Sequence, residues 1–387
     1  MSPQARVAAA LGVVQILAWG SSYYLMAVLA APIAADTGWP LPWVVGSLSV
    51  GLLVAGLVSP VVGRTIARRG GRPVLVAGCL GIAAGLMTLA LAPNLPVFVA
   101  GWMLMGAGMA AGLYDPAFAT LGQIYGREAR RAITLLTLWG GFASTVCWPL
   151  SALMLDSFGW RGTAAAYAGL HLAISVPLLL RAIPQAPRPQ ARDPVPPPEL
   201  ADEERRAFRI MAAIQTLAGL AVTIVSVHLI VLLGARGLPL AAAVALGALI
   251  GPAQVGGRLV EMAGGTRHHP VWTMLAAVSA TAAGLVLLAA SEWPALAMVL
   301  YGAGNGVYSI ARGALPMALF GPERYPGVMG RLARPSLVAQ AAAPLVGAGL
   351  IGLMGADGTL GVLAGIAAAN LVLATVLLRQ TRRLRDP

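Results

Sequence analysis

The stretch Gly63-Arg64-Thr65-Ile66-Ala67-Arg68-Arg69-Gly70-Gly71-Arg72 stands at the junction of two apolar runs, 41–65 and 74–92. Four arginines crowd the short hinge between segments that carry almost no charge. The same grouping recurs along the chain. Arg127, Arg130 and Arg131 form the next cluster, followed by Arg181, Arg188, Arg192, Arg205, Arg206 and Arg209. Arg258 and Arg267 come next, then Arg324, Arg331 and Arg334, and then the tail with Arg379, Arg382, Arg383 and Arg385. Every second gap between apolar runs holds these cations, and the other gaps hold essentially Arg161 and Arg236. Cationic loops stay on the cytosolic side of a membrane. The alternation therefore predicts a multi-pass protein of a cell membrane, a bacterial inner membrane, with both termini cytoplasmic.

Composition supports this class. Of 387 residues, 58% are hydrophobic and 10% are charged, against ~25% charged in soluble chains. A crossing helix needs ~20 apolar residues. The pattern places twelve spans at 7–31, 41–65, 74–92, 96–123, 132–155, 162–183, 207–233, 239–262, 270–291, 294–320, 334–355 and 358–379. The net charge of +12 lies in loops beside the membrane, where it orients the chain and meets lipid headgroups. Nucleic-acid binding is excluded on that ground. Cys79 and Cys147 fall inside spans and suggest neither a disulfide nor a metal pair. His268 and His269 lack further ligands nearby, so no metal and no cofactor is expected.

Residues 184–206 are rich in proline, with Pro184, Pro187, Pro189, Pro194 and the run 196–198. Such a segment reads as an extended cytosolic linker. It separates an N-terminal bundle, 1–183, from a C-terminal bundle, 207–387, each of six spans. Gln15 near the start of span one is echoed by Gln215 in span seven, and Gly63-Arg64 by Gly257-Arg258. Weak internal symmetry of this sort points to a repeat architecture with a solute site between the halves.

At these residues the chain resembles the major facilitator superfamily of transporters. The family's signature between spans two and three, Gly-x-x-x-Asp-Arg-x-Gly-x-Arg, matches Gly63, Arg68, Gly70 and Arg72, with Arg64 inside it and Ala67 in place of the aspartate. The second copy, Gly257, Arg258 and Glu261, keeps an acid. In the family these residues form a cytosolic gate. The resemblance implies an all-α membrane fold of twelve transmembrane helices in two pseudo-symmetric six-helix bundles. Asp36-Thr37-Gly38-Trp39 and the stretch 321–330 are similar to the monocarboxylate branch. The arginine that proton antiporters carry early in span four is Trp102 here, four residues before Gly106.

In the family, spans one, four, seven and ten line the cavity. Residues spaced 4, 3 and 4 apart share one face of a helix. Span ten offers Tyr301, Asn305, Tyr308 and Arg312. Span one offers Gln15, Trp19 and Ser22, and span seven offers Gln215, Ser226 and the neighbouring Thr223. These are the candidate substrate-binding residues. Asp115 in span four and Arg312 in span ten are intramembrane charges on corresponding helices, and such charges mark pathways or partners. Three readings compete for them: a substrate and proton site, with Arg312 as anion anchor and Asp115 as proton-linked partner; a cytosolic gate; or a static pair. His228 faces away from the Gln215 arc and reads as a packed histidine.

The function expected is secondary active transport of a small solute by alternating access, a proton-coupled small anion. The alternative is efflux of an uncharged or cationic toxic compound, with Asp115 and Arg312 as a gate. The expected partners are the small-molecule solute, protons and membrane lipid, and the expected state is a monomer. No nucleophile–base pairing is visible in the spans, so no enzyme is expected.

Overall fold

The computed structural model describes residues 3–185, 200–264, 267–290 and 293–383. Most of the proline-rich linker, 186–199, and the extreme tail lie outside the described residues. Among the described residues the regular structure is helical: α1 Pro3–Gly20, α2 Leu25–Thr37, α3 Leu41–Arg69, α4 Gly71–Ala90, α5 Leu95–Gly112, α6 Tyr114–Tyr125, α7 Ala129–Gly140, α8 Ala143–Leu170, α9 Val176–Ala182, α10 Asp202–Ala235, α11 Leu240–Ala248, α12 Ile250–Gly264, α13 Pro270–Ala290 and α14 Pro294–Arg383. Helix is the form that bonds its own backbone, as hydrocarbon surroundings demand. Nine helical runs among the described residues are long and apolar enough to cross a membrane. The longest of them are subdivided where glycines take a left-handed φ: Gly159 in the run through α8, and Gly321 and Gly355 within α14. The last expected linker residues, from Asp202 onward, already belong to α10.

The chain divides into two compact units. One comprises Met1–Val195 with Gly321–Arg334, and the other Pro196–Phe320 with Pro335–Pro387. In the first unit α5 packs on α3 and α4, and α1 packs on α7 and α8. In the second, an apolar core gathers Ile224, Leu232, Leu285, Met298, Tyr301 and Leu363.

The helices manage their orphan carbonyls with side chains. Pro60 has no N–H, so the Gly56 carbonyl loses its helical donor. Ser59 Oγ donates to it at 2.9 Å. Asn94 starts α5 by accepting the Val97 N–H at 3.1 Å. The two arginines that break the charge alternation serve as helix C-caps. Arg161 Nη1 donates to the Ala90 and Ala92 carbonyls at 3.0 and 2.9 Å, at the end of α4, with its guanidinium 4.3 Å over the Trp160 ring. Arg236 donates to the Leu288 carbonyl at 2.5 Å and the Ala289 carbonyl at 2.7 Å, at the end of α13, and to Asp357 at 2.6 Å. A cation at a C-terminus satisfies both the unpaired carbonyls and the helix dipole.

Candidate functional site

The first unit builds its polar site from two interrupted spans. Span four breaks between α5 and α6 at Leu113, whose backbone is extended (φ −85°, ψ −159°). The break has a sequence cause. Pro116 brings no N–H to the carbonyl four residues back, and Gln15 Nε2 donates to that Gly112 carbonyl at 2.7 Å. Gln15 is fully buried, and its Oε1 accepts from Trp19 Nε1 at 3.1 Å. Both ends of this amide are thus engaged within the protein. Span one breaks over Ser21–Tyr24 between α1 and α2. Ser22 Oγ donates to the Ala18 carbonyl at 2.5 Å, which ties its hydroxyl to the helix end. Trp19 lies 5.5 Å from Tyr23 and 5.1 Å from Tyr114, while Tyr114 stacks on Phe118 at 5.2 Å. Asp115 sits in the first turn of α6, where backbone N–H groups favour a carboxylate.

Sequence reasoning missed a second contact at the span-one break. Ser21 Oγ lies 2.8 Å from Nε2 of His171, which is fully buried. His171 opens a π-helical turn, His171–Ser175. Such turns shift the register of side chains and recur at functional positions. Nothing in the local pattern of span six marks this turn.

The arginine-rich signature lies at the end of α3. Arg64 and Arg68 are exposed, and Gly70 closes the helix through its N–H to the Ile66 carbonyl at 2.8 Å. Arg72 begins α4. Gly63 faces the segment Gly321–Arg334 of the same unit. A methyl group there would run into the Pro326 carbonyl and meet Gly330 Cα at 3.1 Å. Ser59 Oγ donates to the Gly330 carbonyl at 3.0 Å. Gly63 and Gly330 allow two backbones to cross in contact, which no larger residue permits.

The second copy does a different job. Arg258 is buried and its Nε donates to the Gly306 carbonyl and Ser309 Oγ at 3.3 and 3.2 Å, which ties α12 to span ten. Glu261 accepts from Thr273 Oγ1 at 2.8 Å and lies 3.3 Å from His268 Nε2. Gly257 packs on the Ala303 carbonyl. The Arg258 and Glu261 side chains and the bare backbone at Gly257 knit the interior of the second unit.

In that unit Tyr301 is buried in the core, and Asn305 and Tyr308 line a cavity of about 20 Å³. The lining is mostly apolar, with Ala221, Val278 and Leu285 among it, and the space is about that of one water. Thr281 and Asn370, from α13 and the last part of α14, complete its polar lining. Asn370 is buried and its Oδ1 has no hydrogen-bond partner. It was not among the expected site residues because span twelve was not read as a lining helix. Arg312 is half-buried one turn beyond Tyr308. Thr223 is buried and Ser226 exposed. His228 Nε2 lies 3.0 Å from the Pro344 carbonyl, as a packed histidine should. Gln215 is buried, and neither its Nε2 nor its Oε1 has a partner.

Residues 11–267 match the model of the Major Facilitator Superfamily. Human monocarboxylate transporter 11 is 32% identical over 203 residues, which are 51% of this chain and 41% of that protein. Mouse monocarboxylate transporter 3 is 29% identical over 36% of this chain and 27% of its own length. The matched stretch thus spans less than half the length of these relatives. Among solved structures, the human organic anion transporter MFSD10 (TETRAN) superposes with a TM-score of 0.75 at 17% identity, over 97% of this chain and 100% of that one. The E. coli fucose:proton symporter FucP gives 0.73 at 14% identity, over 96% and 98%. Likeness at that identity speaks for the fold alone. With the helical architecture of the described residues and the family match over two thirds of the sequence, the chain is a multi-pass membrane protein and a member of the major facilitator superfamily.

Proposed function

We propose that the protein is a proton-coupled carrier of a small organic anion of the monocarboxylate class, working by alternating access as a monomer. It acts in a bacterial inner membrane, with its arginine-rich loops and both termini in the cytosol. One observation carries the substrate class. Arg312 is a half-buried cation in an apolar span, one turn beyond Tyr308 and two beyond Asn305 on the same helical face. A guanidinium held there offers a fixed fork of donors that fits a carboxylate. The sequence similarity to monocarboxylate transporters supports the same class. Asp115 is the proton-linked partner in this reading. Gln15 and Ser22 hold the first unit's frame, while Trp19 supplies an apolar wall. The signature Gly63, Arg64, Arg68, Gly70 and Arg72 closes the cytosolic side through the Gly63–Gly330 crossing.

The test is uptake of radiolabelled small monocarboxylates into proteoliposomes with and without an inward proton gradient. Gradient-driven uptake is expected in the wild type. Arg312→Ala should lower it by about 100-fold, the loss of a charge-assisted bidentate contact. Arg312→Lys should recover less than a tenth of the wild-type rate. Asp115→Asn should leave exchange between internal and external substrate but abolish the response to the gradient. Full uptake by Arg312→Ala would sink the anion-anchor reading.

A further inference from the structure

Three positions of the two halves correspond at an offset of 200 residues: Gln15 answers to Gln215, Pro116 to Pro316, and Gly112 to Arg312. In the first half these three positions form one device. Pro116 withholds an N–H from the Gly112 carbonyl, the helix breaks at Leu113, and Gln15 Nε2 takes the freed carbonyl at 2.7 Å. In the second half Pro316 withholds an N–H from the Arg312 carbonyl in the same way. Gly313 follows Arg312 and resists departure from helical dihedrals least of all residues. Yet α14 stays helical through these positions, and Gln215 stands buried with both amide atoms unpartnered. Its backbone is fixed, since the Gln215 carbonyl accepts from Ser336 Oγ at 3.0 Å. A buried amide open at both ends is costly, and apolar residues of similar shape would avoid the cost. Such a group is explained when a different arrangement of the same chain gives it a partner.

We propose that Gln215 is a positioning residue for Arg312. In another state of the transport cycle span ten breaks after Arg312, as span four breaks after Gly112, and Gln215 Nε2 donates to the Arg312 carbonyl. The functional meaning rests on Arg312 as anion anchor. Breaking the helix directly after it re-aims the guanidinium, so that anion affinity alternates with helix continuity. The hinge itself involves only the Arg312 backbone and is testable apart from that reading.

Hydrogen exchange of the full chain in lipid nanodiscs, followed by mass spectrometry on a peptide covering 310–320, reads the break directly. Gln215→Leu removes the group that captures the broken state and should slow exchange there by about tenfold. Gln215→Met, close in length but without a donor, should do the same and covers the case in which the leucine variant does not fold. Pro316→Ala restores the missing N–H and should also slow exchange, with no further slowing in the double variant. A merely structural glutamine would give the opposite sign, faster exchange, because its loss loosens packing. Unchanged or faster exchange in both Gln215 variants would overturn the proposal, as would a glutamine that contacts substrate only. If the Gln215→Leu effect persists in an Arg312→Ala background while uptake is unaffected by Arg312→Ala, the hinge stands and the anion anchor falls.

Discussion

Gln15 and Gln215 occupy equivalent places in two repeats, and one amide is saturated while the other is empty-handed. Around Gln15 every polar atom has a local answer: a carbonyl released by a proline, an indole N–H, a hydroxyl folded back on its own helix. Gln215 Nε2 and Oε1, and Asn370 Oδ1 beside the second unit's cavity, are buried without hydrogen-bond partners. Repetition of sequence has produced one glutamine that is settled and one that is poised, although the first half also holds buried unpartnered atoms at Trp102, His171 and Ser175. Where a protein must change shape, unsatisfied groups belong at the poised position, since a fully bonded network has nothing to gain by moving.

This contrast can be attacked by substitution. The largest effect is expected at Gly257. A methyl group there would meet the Ala303 carbonyl oxygen at 2.6 Å and its Cα at 3.1 Å, and backbone cannot rotate away. Gly257→Ala should cost about 3 kcal/mol in thermal unfolding, the upper range for overpacking. The equivalent Gly63→Ala, whose methyl group would run into the Pro326 carbonyl, should cost a comparable amount and also loosen the segment 321–334, showing as new protease cleavage there. Next comes the glutamine pair. Gln15→Leu strands the Gly112 carbonyl and the Trp19 N–H and should cost about 2 kcal/mol. Gln215→Leu loses no hydrogen bond and removes two buried unpartnered atoms, so it should stabilise by about 1 kcal/mol. Equal losses in a side-by-side melting series would erase the distinction between the two glutamines. The smallest effect is expected at Asn370. Asn370→Leu removes an orphan acceptor and fills the cavity, so it should stabilise by about 1 kcal/mol. Destabilisation there would show that a bound water already answers Asn370.

Much of this was readable beforehand, and the reasons differ by residue. The alternation of arginines showed the class, because membrane orientation is a one-dimensional rule. The carbonyl that Gln15 grips was also readable in principle, since a proline at 116 always frees the carbonyl at 112. Gln15 was instead read as a substrate contact, because helical spacing shows which face a residue shares but not what stands opposite. The roles of Arg161 and Arg236 were invisible for a similar reason. Each acts on carbonyls more than fifty residues away in the chain. The burial of Arg258 and its bonds to Gly306 and Ser309 are equally invisible in the motif, because a motif carries no information on burial. The contact of Ser21 with His171 depends on a π-turn that leaves no compositional trace.

The two C-capping arginines also differ in when their partners come into being. The acceptors of Arg161, Ala90 and Ala92, are 71 and 69 residues earlier in the chain and already exist when Arg161 emerges from the ribosome. The acceptors of Arg236 are 52 and 53 residues later. At ordinary synthesis speeds that is a delay of roughly 3 to 10 s. During that interval the Arg236 guanidinium is without its carbonyl acceptors. The Arg161 cap can therefore form as the first half is made, whereas the Arg236 cap waits until the end of α13 has been synthesised.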